Sequence, residues 1–398
     1  MTLFARLDPP APDPIIALMQ RFAGDPRPER IDLGVGVYRD AAGRTPVMAA
    51  VAAAEARMLA AQDSKGYLGL AGDPRFIAAM EGLLLGAPAG DRAAAVATPG
   101  GSGALRQALA LVRMANPGAQ VWIGRPSWPN HAAIAQELGM AVRPHAYLAA
   151  DRGHVDAAGM LADLSGANRG DVVILHASCH NPSGADLTPE EWAALADLCA
   201  AHGLLPLVDV AYQGFGEGVD EDAAGLRLLA DRLPELLVAA SGSKSFGLYR
   251  ERVGLVLALC DGPGSARATA GALQSLNRKN FAFPPDHGAR VVTTILEDPV
   301  LRADWQAELD AMRHRIGTLR AGLAEALRTA TGSDRFDMLT RQRGMFSLLG
   351  LTPAQIERLR ADHAIYLVPD GRANIAGLTE ATLPRLAAAM AEVLQDAG

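Results

Sequence analysis

Between about residues 100 and 260, short and almost purely apolar segments alternate with longer segments of helical periodicity. Near-continuous hydrophobicity over such short lengths is typical of strands buried on both faces, and helices between them indicate βαβ units. The pattern therefore predicts an α/β fold with a mainly parallel central sheet flanked by helices. The predicted strands are QVWIG (120–124), DVVILHA (171–177), LLPLVDV (204–210), ELLVAAS (235–241) and RVGLVLALC (252–260).

Helical segments lie between several of these strands. The clearest, PEEWAALADLCAAHG, follows Thr188 as an N-cap, has Glu191 three residues later for a capping box, and ends at Gly203. Residues 298–332 then form one long helical pattern, which could bridge two domains. The rest of the chain predicts strand, helix and strand, followed by a final helix.

Composition limits the partners of this chain. A formal net charge of −7 over 398 residues leaves no basic stripe, so neither nucleic acid nor an anionic membrane is expected. No apolar run approaches the roughly 20 residues of a membrane span, and the N-terminus lacks a signal-peptide stretch. Three cysteines without a CxxC pair fit a reducing compartment. We expect a cytoplasmic protein that binds a small molecule, and no metal site is predicted.

Four polar motifs follow predicted strands, at the edge where open α/β sheets bind ligands. In TPGGSGALRQAL (98–109), Gly101 and Ser102 begin a helix whose N-terminus favours an anion such as phosphate. Glycines before a helix are also ordinary turn residues, so this motif alone does not distinguish a phosphate site from a plain turn. It matches neither GxxxxGK[ST] nor GxGxxG, and a P-loop or dinucleotide site is not supported.

Asp209 ends a buried strand, where an unpaired carboxylate is costly and needs a cationic partner. A protonated pyridine nitrogen would supply one, although an N-cap or a structural salt bridge explains a single strand-end aspartate equally well. In CHNPSG (179–184), Asn181 could present its amide to a ring, or the segment could be a plain turn.

Lys244 follows a buried strand and has Ser241, Ser243 and Arg252 as neighbours in sequence. Hydroxyl donors and a fixed cation suit a phosphate, and nearby positive charge would lower the pKa of the lysine so that the neutral amine can form an imine. Most lysines are simply exposed on the surface, but the position directly after a buried strand weighs against that alternative.

Together these motifs resemble the aspartate/aromatic aminotransferases, which are fold type I pyridoxal-phosphate enzymes, and they look closest to the bacterial aromatic members. The resemblance runs from about Pro14 to the last helix. It implies a large domain over 45–312, a smaller α+β domain formed by both chain ends (1–44 and 313–398), and a joining helix near 298–330. It also implies a homodimer with shared active sites. The motifs are PSWPNH (126–131), CHNPSG (179–184), DVAYQGF (209–215), SGSKSFGLYRERVG (241–254) and GRANIAG (371–377).

For the cofactor, the resemblance makes Lys244 the lysine that forms a Schiff base with pyridoxal 5′-phosphate and then moves the proton. Asp209 would pair with the pyridine nitrogen, and His131 would lie behind Asp209 and orient it. Tyr212 and Asn181 would donate hydrogen bonds to the phenolic oxygen. The other cofactor contacts would be Trp128, stacked on the ring, and, around the phosphate, Gly101, Ser102, Ser241, Ser243, Arg252 and Tyr67 of the neighbouring subunit.

For the substrate, Arg372 looks like the arginine that grips the α-carboxylate with a bidentate fork. Arg278, contributed by the neighbouring subunit of the dimer, would pair with the side-chain carboxylate of a dicarboxylic substrate. Backbone at Gly36 would line the site, and Trp128 and Asn181 would contact substrate as well as cofactor.

The chain departs from aspartate-selective members at Phe283, where they usually carry asparagine, and at Ser102, where they usually carry threonine. Ser183, Gly242 and Ser245 are further departures, and none of them removes a reacting group. Phe283 and Ser102 make the substrate pocket resemble that of the aromatic members, while Arg278 is retained. We therefore predict dual specificity for dicarboxylic and aromatic donors.

The predicted function is transamination of aromatic and dicarboxylic L-amino acids with 2-oxoglutarate, in a ping-pong cycle through pyridoxamine phosphate. One alternative is an aspartate aminotransferase with little aromatic activity. Another is a catalytically silent relative that uses the fold for binding or regulation, and a third keeps the cofactor but carries out decarboxylation, elimination or ring closure.

Overall fold

The protein is described as a computed structural model that covers residues 2–8 and 13–395. Within these ranges, helices and strands alternate through the middle of the chain. The β-strands are β1 (Ile31–Asp32), β2 (Ala93–Pro99), β3 (Val121–Arg125), β4 (Val142–Ala146), β5 (Val172–His176), β6 (Leu205–Val210), β7 (Leu236–Ser241), β8 (Val253–Leu259), β9 (Phe346–Leu348), β10 (Ile365–Tyr366) and β11 (Arg372–Asn374). The α-helices are α1 (Pro14–Gly24), α2 (Ala49–Ala61), α3 (Pro74–Leu85), α4 (Gly100–Ala115), α5 (Pro129–Glu137), α6 (Ala157–Leu164), α7 (Pro189–His202), α8 (Ala224–Arg232), α9 (Pro263–Asn280), α10 (His287–Glu297), α11 (Pro299–Thr331), α12 (Met338–Arg341), α13 (Pro353–His363) and α14 (Leu383–Gln395).

The central sheet has seven strands in the order β2-β8-β7-β6-β5-β3-β4. Strands β3 to β7 are parallel, and β8 is antiparallel to both of its neighbours. The predicted α/β fold with a mainly parallel sheet is therefore confirmed. Two edge strands, β2 and β4, are absent from the prediction because β2 is rich in alanine, which favours helices, and β4 is half polar and contains Pro144.

Helix α7 has the capping box predicted for it: Thr188 accepts the N–H of Glu191, and the Glu191 carboxylate accepts the N–H of Thr188. The helix ends at Gly203, which is left-handed at φ +66°. Helix α11 runs unbroken for 33 residues through Gly317 and Gly322. Its length agrees with the long helix predicted from the sequence.

Separate apolar cores lie at the two ends of α11. Trp305, Leu309 and Ile316 pack into the core that covers one face of the central sheet. Leu319 and Leu327 pack instead against the C-terminal elements. Strand β1 pairs in parallel with β10, so the N-terminal segment completes that second unit. The domain limits at residues 45 and 313 stay a prediction.

The strand ends meet at one edge of the sheet. In adjacent strands His176 lies opposite Asp209, and Ser241 lies opposite Gly254. Because β8 is antiparallel, it begins where β2 and β7 end, so Pro99 lies opposite Val253. The loops after β2, β3, β5, β6 and β7 and the loop before β8 are therefore neighbours. Among the described residues, no helix is long and apolar enough to cross a membrane.

Candidate active site

A cavity of about 250 Å³ opens at this edge of the sheet, between the strand ends and the C-terminal unit. Its size suits a small molecule, and its walls carry charged and polar side chains. The sequence-predicted residues that line it are Gly36, Gly101, Ser102, Trp128, Asn181, Asp209, Tyr212, Ser241, Ser243, Lys244, Arg252 and Arg372. His131 lies directly behind this wall.

One end of the cavity is lined by groups that can bind an anion, and we call it the anion site. The first turn of α4 supplies Gly101 and Ser102, and the end of β7 supplies Ser241. The Arg252 guanidinium lies 3.4 Å from the Ser243 hydroxyl. A Cβ added to Gly100 would lie 2.3 Å from that guanidinium, so only glycine permits this approach. Backbone N–H groups at a helix N-terminus, hydroxyl donors and a fixed arginine together suit a phosphate group.

A buried carboxylate lies elsewhere in the same cavity. Asp209 is 6% exposed, and its Oδ2 accepts a hydrogen bond of 2.9 Å from Nε2 of His131, which is fully buried. The second ring nitrogen of His131 is 3.0 Å from the Ser127 hydroxyl, so the imidazole is fixed on both sides. Burial is the largest single influence on Asp209 and by itself would raise its pKa, but the hydrogen bond with His131 and the electrostatic influence of His131, His176 and Lys244 together hold the pKa below its ordinary value. The carboxylate is therefore ionised and can pair with a cation.

Lys244 lines the same cavity, and its amine lies 5.2 Å from the centroid of the Tyr212 ring. Burial is the largest cause that lowers the pKa of Lys244. Asp209 opposes this shift, whereas Arg252 and Arg372 add to it. The sequence interpretation attributed the lowering to positive charge, and the structure adds desolvation as the stronger cause. Burial also raises the pKa of Tyr212, whose hydroxyl therefore stays protonated and can donate a hydrogen bond.

Arg372 presents an incompletely satisfied guanidinium to the cavity. Its two terminal nitrogens donate to the Asn181 side-chain oxygen at 3.3 Å and to the Gly34 carbonyl at 3.1 Å. Its Nε is buried without a hydrogen-bond partner among the described residues. The guanidinium stacks 4.4 Å from the Phe346 ring centroid, and a Cβ on Gly36 would lie 2.8 Å from that same ring. A fixed guanidinium with a free donor suits a carboxylate.

Three sequence-predicted residues lie elsewhere on the chain. Tyr67 is 87% exposed and stacks on Phe283, with ring centroids 4.7 Å apart. The Arg278 guanidinium lies 5.9 Å from the centroid of the Phe283 ring. None of the three lines the cavity of its own chain. They form one surface group, the Tyr67–Arg278–Phe283 group.

The cavity also contains residues for which the sequence interpretation gave no role. His176 is opposite Asp209 in the sheet. Burial is the main cause that lowers the pKa of His176 to about 3, and the nearby His131 adds to it, so the His176 ring is neutral. Its position at the end of a predicted buried strand, like that of Asp209, was an available signal. The hydroxyl of Tyr249 accepts the N–H of Tyr38 at 3.0 Å. Phe346 and Ile15 also line the cavity and are brought in only by tertiary contacts.

A family model described as aminotransferase class I and II matches residues 28–390. The chain belongs to this family. The aromatic-amino-acid aminotransferase of Paracoccus denitrificans is 52% identical over 392 residues, which cover 98% of this chain and 100% of that protein. The aspartate aminotransferase of Salmonella typhi is 41% identical over 396 residues, covering 98% and 100%. The structure of an aromatic-amino-acid aminotransferase from Burkholderia pseudomallei, covalently bound to pyridoxal phosphate, matches with a TM-score of 0.96 at 41% identity, covering 99% of this chain and 100% of that one.

Family membership confirms the predicted enzyme class: the protein is a pyridoxal-phosphate-dependent aminotransferase. The cavity of this chain fits that cofactor. The anion site at Arg252 matches a phosphate, the ionised Asp209 matches a protonated ring nitrogen, and Lys244 supplies an amine in the same cavity. The individual residue roles stay predictions.

Proposed function

We propose that this aminotransferase moves the amino group of aromatic and dicarboxylic L-amino acids to 2-oxoglutarate in a ping-pong cycle. The observation that carries the proposal is the joint placement of Lys244, Asp209 and Arg372 in the lining of one cavity. When bound, pyridoxal phosphate supplies an electron-withdrawing ring that carries the amino group between the two substrates.

The residues of the chain would then orient the reactants and move the proton. Arg372 would bind the α-carboxylate of the amino acid, and the neutral Lys244 amine would take the proton from the substrate Cα. Asp209 would keep the ring nitrogen protonated, because an ionised carboxylate stabilises an adjacent cation in a buried site. Tyr212 and Asn181 would donate hydrogen bonds to the phenolic oxygen of the ring.

The half-reaction tests this assignment directly. Adding glutamate, phenylalanine or aspartate alone to the holoprotein is expected to bleach the visible absorbance band of the bound cofactor, because the amino group is transferred before any acceptor is present. Subsequent 2-oxoglutarate is expected to restore the band. A binding or regulatory relative would show no bleaching. A decarboxylase would release carbon dioxide, and an eliminating enzyme would remove the side-chain group of the substrate. Mass spectrometry of the products detects either change.

We further propose that the protein is a homodimer in which the Tyr67–Arg278–Phe283 group belongs to the partner's active site. The support is that an exposed tyrosine, an arginine and a phenylalanine are held together by ring contacts outside their own cavity. Arg278 would then bind the side-chain carboxylate of a dicarboxylic donor, and Phe283 would provide an apolar surface for an aromatic donor.

We also propose that the protein is located in the cytoplasm.

Arg278→Ala is expected to lower kcat/KM for aspartate by about 100-fold or more, because a desolvated carboxylate would lose its only proposed cation. The value for phenylalanine is expected to stay within about 3-fold, since an aromatic ring makes no ion pair there. Steady-state assays with both donors and 2-oxoglutarate measure the two values. Phe283→Asn is the matched variant, expected to reduce phenylalanine turnover and keep aspartate turnover.

Coexpression separates a shared site from a site within one subunit. A hybrid of Lys244→Ala and Arg278→Ala subunits contains one site with both an intact Lys244 and an intact Arg278 only if Arg278 crosses the interface. Aspartate turnover above that of either variant alone supports the shared site. Equal aspartate and phenylalanine losses in Arg278→Ala would contradict the specificity assignment.

A further inference from the structure

The loop that carries Asn181 is held from behind by a carboxylate with no assigned role. Oδ2 of Asp186 accepts the backbone N–H of Cys179 at 2.7 Å, and Oδ1 accepts the N–H of His180 at 2.8 Å. Both donors belong to consecutive residues directly before Asn181. One side chain therefore fixes two successive peptide groups.

Those two bonds hold a backbone conformation that is unfavourable by itself. Cys179 has φ +54°, in the left-handed region that residues with a Cβ rarely adopt. Gly344 packs against it so closely that an added Cβ would lie 2.3 Å from the Cys179 Cβ. An unfavourable turn persists only where its surroundings impose it, and the Asp186 carboxylate supplies the hydrogen bonds that do so.

The turn at Cys179 and His180 leads directly into the cavity wall. The Asn181 side chain lines the cavity and accepts a hydrogen bond of 3.3 Å from Arg372. A change in the backbone of the turn would therefore move both the amide proposed to contact the cofactor and one of the partners of the substrate arginine. Small displacements of such groups are costly to catalysis.

The ionised carboxylate carries a cost in stability at this position. Burial raises the pKa of Asp186 to about 6, a shift that the two N–H bonds oppose and the nearby Asp222 reinforces. Arg320 faces the group and counteracts part of this shift, and Tyr147 lies within its electrostatic reach. Since the pKa is raised by folding, Asp186 makes folding less favourable as the pH rises from 3.8, the ordinary pKa, through about 6. At neutral pH the ionised group is retained despite that cost.

We propose that Asp186 is a positioning residue for transamination, which fixes the turn at Cys179 and His180 and thereby sets the position of Asn181 against the cofactor and Arg372. The proposal rests on the role proposed above for Asn181. The Asp186 side chain itself is not among the residues that line the cavity.

Asp186→Asn tests the proposal, because an amide keeps the shape but has one oxygen and so can accept only one of the two N–H groups. We expect KM for both phenylalanine and aspartate to rise about 10-fold, the effect of losing one hydrogen bond, while kcat changes less. The pH at which the visible band of the bound cofactor changes is expected to shift. In the apoprotein, hydrogen exchange of the Cys179 and His180 amides is expected to accelerate.

Asp171→Asn is the matched control. Asp171 likewise accepts backbone N–H groups through its carboxylate, those of Gln120 and Asn168, and it is buried where Asp186 is half-buried. It directly precedes β5, at the opposite edge of the sheet from the cavity. Its loss is expected to change stability without changing the cofactor band or either KM. If Asp186→Asn behaves in the same way, the positioning role is wrong.

Asn181→Ala separates the role of Asp186 from the role of Asn181. If Asn181→Ala shifts the cofactor band and Asp186→Asn does not, Asp186 has no positioning role and the proposed site stands. If neither variant shifts the band, the role of Asn181 fails, and the inference fails with it. Should Asp186→Asn not fold, Asp186→Glu keeps the charge with a longer reach, and it is expected to shift the band in the same direction by less. An unshifted band in a folded Asp186→Glu variant would then overturn the proposal.

Discussion

Replacing Lys244 by arginine or alanine is expected to lower transamination by more than about 10⁴-fold, the scale of a lost proton-transfer group together with the lost imine. Arginine keeps the positive charge but cannot act as the neutral amine, so it separates charge from chemistry. Both variants are expected to fold and to bind pyridoxal phosphate without a covalent bond. Turnover is measured with phenylalanine and aspartate, and attachment by mass spectrometry after borohydride reduction.

The composition of the chain gives this experiment a clean control. There are only three lysines, Lys65, Lys244 and Lys279. Lys65→Arg and Lys279→Arg are expected to retain turnover and the reduced cofactor adduct, which should map to Lys244 alone. Near-normal turnover in Lys244→Ala would contradict the assignment, as would an adduct on either other lysine.

Asp209→Asn is expected to lower kcat by about 10³-fold, because the neutral amide cannot stabilise a protonated ring nitrogen in a buried site. The affinity for pyridoxal phosphate should fall as well, since the ion pair is lost in both ground state and transition state. Steady-state kinetics at saturating cofactor and fluorescence titration of the apoprotein measure the two effects. His131 is expected to remain in place through its contact with Ser127.

His131→Gln is the companion variant for this second prediction. It keeps a hydrogen-bond donor near Asp209 but removes the fixed imidazole, so a smaller loss of kcat is expected, about 10-fold. If Asp209→Asn turns over at the normal rate, Asp209 has no electronic role. If His131→Gln loses as much kcat as Asp209→Asn, the electronic role of the Asp209 carboxylate depends on His131 more than their single hydrogen bond implies.

Much of the site could be predicted because its residues follow strands whose burial is visible in the sequence. Asp209, Lys244 and Asn181 each come within a few residues of a predicted strand end, and parallel strands bring such ends to one edge. His176 meets the same criterion, but a histidine at a strand end is compatible with many roles, so the sequence assigns it none. Asp186 carries no sequence signal at all, since its role depends on backbone N–H groups seven and six positions before it.

The sequence by itself determined the fold class and the family and predicted the residues proposed to react, because buried strands, helix caps and long local motifs depend on neighbouring residues. Only the tertiary structure decided how those groups are tuned. Burial lowers the pKa of Lys244, His131 together with neighbouring charges keeps the pKa of Asp209 low, and Arg372 is left with a free donor among the described residues. Desolvation and long-range contacts depend on where distant segments pack, and no local pattern encodes them. The Tyr67–Arg278–Phe283 group likewise showed its common surface position only when the chain was folded.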